Sequence, residues 1–224
     1  MEKHLDSLME FKNVSFICDN EYILKDLSFD IEQGDFISVV GPSGSGKSTF
    51  FKLCCNLLSP TRGNILFEGK DYQDYNPVDL RKNVVYCFQT PYLFGRTVMD
   101  NIEFPYQIRN MKPDFERINT LFSTFHMSEE YLNKDVKNLS GGEKQRIALI
   151  RSMLFMPKIL LLDEITSALD VDNTLIVENV IESLNKDGVT IMWITHNPEQ
   201  SRKYANKILT IESGKIKSFE EVNR

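Results

Sequence analysis

The sequence predicts an α/β fold built on a mostly parallel core sheet, and three observations carry that prediction. The nine residues GPSGSGKST at 41–49 follow directly on the apolar run FISVV at 36–40. Two further continuous apolar runs of strand length occur, at 159–162 and 189–194, the pattern of parallel strands buried on both faces. Helical sequence separates them, and strand–helix–strand alternation places helices on both faces of one sheet.

Ahead of the first parallel strand, residues 8–31 alternate in short runs, with Val14 and Phe16, then Leu27, Phe29 and Ile31. That period of two predicts antiparallel strands turning at Cys18-Asp19-Asn20-Glu21, an N-terminal β subdomain. Residues 47–58 read as a helix with Phe50, Leu53, Cys54 and Leu57 on one face, stopped by Ser59-Pro60-Thr61. Short strands are expected at 65–67 and 83–88, the second ending at Gln89. From about 92 to 155 the β signal fades. Residues 114–125 carry a helical stripe of Phe115, Ile118, Leu121, Phe122 and Phe125, and another helix opens at Ser140-Gly141-Gly142 and runs to Pro157. This stretch reads as a helical subdomain inserted between two strands of the sheet. Helical sequence at 172–186 and a closing hairpin, 208–211 with 215–219 through Ser213-Gly214, complete the chain. The expected division is one domain over 1–224, with 1–90 and 157–224 as the core and 91–156 as the helical insert.

The stretch at 41–49 has the chemistry of a nucleotide phosphate loop. Gly41, Gly44 and Gly46 permit the tight turns that aim successive N–H groups at phosphate oxygens, and the positive end of the following helix faces the same anion. Lys47 supplies a mobile charge for the β- and γ-phosphates, and the Ser48 hydroxyl is placed to ligate Mg²⁺. Pro42, Ser43, Ser45 and Thr49 complete the phosphate-binding stretch. Such a loop needs a carboxylate for the metal. Asp163 ends the run ILLL, with Glu164 next, and adjacent residues at a strand end project differently. Asp163 is therefore expected to hold Mg²⁺ through water, while Glu164 addresses the water that attacks the γ-phosphate. His196 follows another parallel strand at the ligand-binding end of the sheet, a position that His4 and His126 lack. The Gln89 amide is expected to reach both metal and lytic water. The LSGGE sequence at 139–143 is a second anion-binding helix start, which points to a neighbouring molecule's nucleotide.

Composition sets limits. The net charge of −6 gives no basic footprint, which weighs against nucleic acid as a partner. No apolar stretch approaches the roughly 20 residues that span a bilayer, and acids occupy the N-terminus where a signal peptide is apolar. The four cysteines, Cys18, Cys54, Cys55 and Cys87, lack CxxC spacing, and the paired ones read as small core residues of a cytosolic protein.

The phosphate loop, the glutamine of CFQT, LSGGEKQR, LLLDE, SALD at 167–170 and the histidine of ITH occur in the order found in the nucleotide-binding subunits of ATP-binding-cassette (ABC) transporters. The chain resembles that family along essentially its whole length. The resemblance implies a phosphate-loop NTPase of ABC type with ATP and Mg²⁺ as cofactors. Two copies would close head to tail on two ATP molecules, each held between the Lys47 loop of one and Ser140, Gly141 and Gly142 of the other. It implies a separate integral membrane permease as partner and a peripheral place on the cytoplasmic membrane face. The stretches FQTPYLFGRTVMDNIEFPYQIRN and LSGGEKQRIALIRSMLFMPKILLLDEITSALD, with Ile165 where most cassettes have proline, resemble the iron-export branch. Transport of another small polar solute is the runner-up. Soluble repair or translation cassettes fit less well, since they carry a coiled-coil insertion or two cassettes per chain. The family stacks adenine on an aromatic residue that falls here on Cys18, leaving Tyr22 as the nearby substitute. Tyr92, Leu93 and Phe94 are the expected permease-docking segment.

Overall fold

The computed structural model describes residues 7–222, so His4 and the first residues of the N-terminal stretch lie outside it. The chain divides into two compact units. One takes the described residues up to Tyr86, Pro157–Asp163 and those from Asn185 onward; the other takes Cys87–Met156 and Glu164–Leu184.

In the first unit, β1 (Ser7–Cys18) and β2 (Glu21–Glu32) form the expected hairpin, with Cys18 opposite Glu21. Asp19 and Asn20 turn it with φ of 51° and 63°, the left-handed pair that hairpin twist favours and that Asp and Asn tolerate. With β4 (Arg62–Phe67) and β5 (Lys70–Asp71) they make a four-stranded sheet in the order β2-β1-β4-β5. The second sheet has the order β10-β9-β3-β8-β7-β6. Its strands are β3 (Phe36–Val40), β6 (Val84–Cys87), β7 (Ile159–Asp163), β8 (Thr190–Ile194), β9 (Lys207–Glu212) and β10 (Lys215–Glu221). β3 runs parallel to β8 and β9, β7 parallel to β8, and β10 returns antiparallel. Every residue of β7 and β8 is buried, the two-faced burial that their apolar runs predicted.

α1 (Lys47–Cys54) is shorter than its sequence suggested, and Leu57 is 46% exposed rather than in the core. Asn56 takes a left-handed φ of 53°, while the Asn56 and Leu57 N–H groups donate to the Leu53 and Lys52 carbonyls. That is a Schellman stop with asparagine in glycine's usual place, four residues ahead of the expected proline. α2 (Pro77–Asn83), capped by Asn76 with proline at its first turn, was not foreseen and takes Asn83 out of the predicted strand. α7 (Pro198–Tyr204), capped by Asn197, was also missed. Cys54, Cys55 and Cys87 are buried free thiols, and burial pushes the last two up to about 11, as inert core residues require.

The second unit holds α3 (Val98–Gln107), α4 (Phe115–Thr124), α5 (Gly141–Met153) and α6 (Val171–Lys186) down to Leu184. In α4, Ile118, Leu121, Phe122 and the capping Phe125 are buried, whereas Phe115 is 52% exposed. At 100° per residue Phe115 lies about 70° off the mean direction of the other four, at the edge of the stripe. α3 was unread in the sequence; a Thr97–Asp100 capping box starts it and Pro105 sits inside it.

Candidate functional site

The stretch after β3 is shaped by backbone no side chain would permit. Gly41 has φ 146°, and a Cβ on it would meet the Ile211 carbonyl oxygen at 2.0 Å. Gly46 has φ 102°, and a Cβ there would come within 2.8 Å of Leu24. The Ser45 N–H donates to the Pro42 carbonyl at 3.2 Å, closing the turn, while Pro42, Ser43 and Gly44 stay exposed. No side chain caps α1 at Gly46, so its first N–H groups are supplied to the loop's concavity rather than to a capping residue. Lys47 is buried and its ammonium donates to the Gly41 and Pro42 carbonyls at 2.8 and 2.9 Å, spanning the loop. Ser48 is exposed and Thr49 half-buried.

Asp163 ends β7 with its carboxylate almost fully buried, at 5% exposure. The Tyr86 hydroxyl donates to its Oδ2 at 2.6 Å. Burial first, and that hydrogen bond second, push the Tyr86 phenol far above its ordinary range, so it acts as a donor. In the sequence Tyr86 carries no signal beyond its place in the expected strand ending at Gln89, and β6 itself stops at Cys87. No group of three or more His, Cys, Asp or Glu among the described residues could hold a metal ion alone. Ser48 and Asp163 each carry oxygen, the donor type that suits Mg²⁺ arriving with nucleotide phosphates and keeping much of its water. His196 is exposed just beyond β8, and with Gly41, Val40, Thr195 and Arg202 it lines a cleft of about 330 Å³. The fold thus brings the histidine to the first glycine of the loop.

Within the second unit, the Gln89 amide donates to Glu164 Oε2 at 2.9 Å. Glu164 has φ 48°, a left-handed conformation that a glutamate adopts at a cost of about 1–3 kcal/mol. The Ser167 N–H and hydroxyl both donate to the Glu164 carbonyl, at 3.0 and 2.8 Å, and fasten the strained residue. Ser140 caps α5 in a reciprocal box with Glu143, accepting from the Glu143 N–H at 3.2 Å while the Ser140 N–H donates to Glu143 Oε2 at 2.7 Å. The Tyr131 hydroxyl, unremarked in the sequence, donates to Glu143 Oε1 at 2.6 Å and holds that carboxyl below its ordinary range. A Cβ on Gly141 would meet nothing within 4 Å, and one on Gly142 only Leu169 at 3.4 Å. The packing of the chain itself does not demand these two glycines.

At the hairpin, Cys18 is exposed and its thiol faces Asp19, whose charge raises it above its ordinary range. Tyr22 is 43% exposed, with the Lys25 ammonium over its ring at 4.9 Å. Tyr22 adjoins Ile23, whose carbonyl borders the loop at Gly46.

A family model described as ABC transporter matches residues 24–167. The chain belongs to the ABC transporter family. Over 206 residues it is 43% identical to the "Probable iron export ATP-binding protein FetA" of Escherichia coli (strain K12), covering 92% of this chain and 91% of that protein. It is 34% identical over 218 residues to the "Spermidine/putrescine import ATP-binding protein PotA" of Mycoplasma mycoides, with 96% of this chain and 61% of PotA covered. The solved dimer of the ATP-binding cassette MJ0796 bound to ADP and Pi superposes with a TM-score of 0.84 at 28% identity, covering 96% of this chain and 99% of that one. CbiO1 from Clostridium perfringens, part of the transporter complex cbiONQ, gives 0.82 at 26%, covering 96% and 89%. The protein is an ABC ATPase, the ATP-binding subunit of a transporter, in a family that binds ATP with Mg²⁺. Among the described residues no helix is long and apolar enough to cross a membrane.

Proposed function

We propose that this ABC ATPase powers export of a metal ion, iron foremost, through a separate integral membrane permease. The observation that carries the cargo is the 43% identity to FetA along nine-tenths of both chains. The 34% identity to PotA favours a second reading, import of a small polar solute such as a polyamine, though PotA extends well beyond the matched region.

In the reaction, Lys47 exchanges the Gly41 and Pro42 carbonyls for the β- and γ-phosphate oxygens, and the loop N–H groups bind the rest. Ser48 and Asp163, with Gln89, would hold Mg²⁺, which would neutralise phosphate charge. Glu164 accepts the proton of the attacking water as its oxygen bonds to the γ-phosphorus and the bond to the β–γ bridging oxygen breaks. His196 supports the γ-phosphate from the Gly41 side of the cleft. Ser140, Gly141 and Gly142 serve the ATP of a second copy; the exposure of Ser140 and Gly141 and the open space at Gly141 support a surface kept bare for a phosphate brought by a partner. The likeness to a nucleotide-bound dimer supports the pairing of two copies. Tyr22, next to the segment that borders Gly46, is the better placed of the two adenine candidates, with Cys18 beside it. The permease docks near Tyr92, which is 73% exposed, while Phe94 packs edge-on against Phe104 at 5.0 Å. Such a complex would hold the subunit at the cytoplasmic membrane face.

The deciding experiment co-expresses the chain with the permease that co-purifies with it and measures ATP-dependent uptake of radioactive iron and of radioactive spermidine by inside-out vesicles. Iron uptake that requires ATP is expected. Spermidine efflux from preloaded inside-out vesicles, without iron movement, would replace export by import.

A further inference from the structure

We propose that Tyr86 is the positioning residue for Asp163, and through it sets the affinity of the nucleotide-loaded protein for its divalent ion. The inference rests on Asp163 being a metal-holding carboxylate.

A buried carboxylate turns about its Cβ–Cγ bond unless a donor fixes one oxygen, and a misplaced oxygen cannot meet a metal-bound water. The Tyr86 hydroxyl fixes Oδ2 at 2.6 Å and leaves the other oxygen for that water. The phenol is itself held. Its ring meets Phe51 edge-on, with centroids 5.8 Å apart and planes at 88°, and Phe51 is fully buried. Phe51 lies on α1, one turn beyond Lys47 and Ser48. The helix that carries the phosphate lysine therefore orients the ring whose hydroxyl orients the carboxylate. Tyr86 lies on β6, and β6 neighbours β7 in the sheet, so the contact reaches across adjacent strands between residues 77 apart in the chain. Second-sphere hydrogen bonds to metal-holding carboxylates commonly alter metal affinity by about tenfold or more. Leaving a buried carboxylate without its donor is also unfavourable in itself.

The test uses the full-length protein with Mn²⁺ as the ion and a non-hydrolysable ATP analogue as the nucleotide. Free Mn²⁺ is read by electron paramagnetic resonance, and nucleotide affinity in EDTA by a fluorescent ATP analogue. Tyr86→Phe is expected to leave metal-free nucleotide affinity within about twofold and to weaken Mn²⁺ binding about tenfold. Placed on Asp163→Ala, the same change should add nothing. Unchanged Mn²⁺ affinity in Tyr86→Phe while Asp163→Ala weakens it would overturn the proposal and leave the metal reading standing. An additive loss in the double variant would equally overturn it, because Tyr86 would then act by another route. Unchanged Mn²⁺ affinity in Asp163→Ala would instead remove Asp163 from the metal site, and the proposal with it. Tyr86→Met, also without a hydroxyl, takes the place of Tyr86→Phe should that variant not fold.

Discussion

Replacing Glu164 by glycine should make the protein more stable than replacing it by alanine, although both changes remove the carboxylate. The backbone at Glu164 has φ 48°. An L-residue there costs roughly 1–2 kcal/mol through the clash of Cβ with the following carbonyl, and glycine avoids that cost. Glycine gives back about 0.5–1 kcal/mol through its greater freedom in the unfolded chain. Both variants lose the 2.9 Å hydrogen bond from Gln89, and both keep the Ser167 bonds to the main-chain carbonyl, so these contacts cancel. The balance is about 1 kcal/mol in favour of glycine, which for a chain of this length is about 2–4 °C in Tm. Thermal denaturation of the two purified variants, followed by circular dichroism, measures it. An alanine variant as stable as the glycine one would show that the left-handed turn carries no strain.

Glu164→Gln should retain ATP binding, slow turnover at least about 100-fold and accumulate an ATP-dependent dimer in size-exclusion chromatography; near-normal turnover would remove Glu164 from catalysis. Ser140→Arg should spare ATP binding yet block hydrolysis, and mixing it with Lys47→Ala should restore activity through one composite site with both faces intact. No recovery on mixing would mean that the site does not form across the dimer or that both must be intact. Cys18 has no π-face, so GTP should compete with ATP within about tenfold and Cys18→Tyr should tighten ATP binding; a strong ATP preference abolished by Tyr22→Ala would make Tyr22 the stacking residue. Glu143 has a depressed pKa in the folded protein. Its capping contribution is therefore complete above the unfolded value and is lost as pH falls through the folded one. Tyr131→Phe should raise the Glu143 pKa toward the ordinary 4.5, as read by NMR titration, and shift that loss to higher pH.

The elements read correctly from sequence are those whose burial is written into a local period. β7 and β8 are buried on both faces and appear as unbroken apolar runs, and the β1–β2 hairpin shows a period of two with an Asp-Asn turn. Elements set by capping were misjudged. α2 and α7 are only seven residues each, too short to show a 3.6-residue stripe, and their signal is an Asn-Pro pair that reads equally well as a turn. α1 stops ahead of Asn56 because asparagine tolerates the left-handed turn, whereas the proline four residues later is the stronger sequence signal for a boundary.

The candidate site divides along the same line. Residues that act through their own backbone are legible, because the constraint lies in adjacent positions: the glycines of the phosphate loop and the serine of LSGGE. Residues that act through a partner are not. Gln89 meets Glu164 across 75 positions and Tyr86 meets Asp163 across 77, and both contacts depend on strand placement that no local pattern encodes. The sequence could show that carboxylates end a buried strand. Only the sheet order, with β6 beside β7, shows which donor reaches which carboxylate. A tyrosine three residues before Gln89 thus looks like ordinary strand filling until its hydroxyl is seen 2.6 Å from a carboxylate with 5% exposure. At that burial an oxygen left without its donor is costly, so the hydrogen bond holds the carboxylate in place.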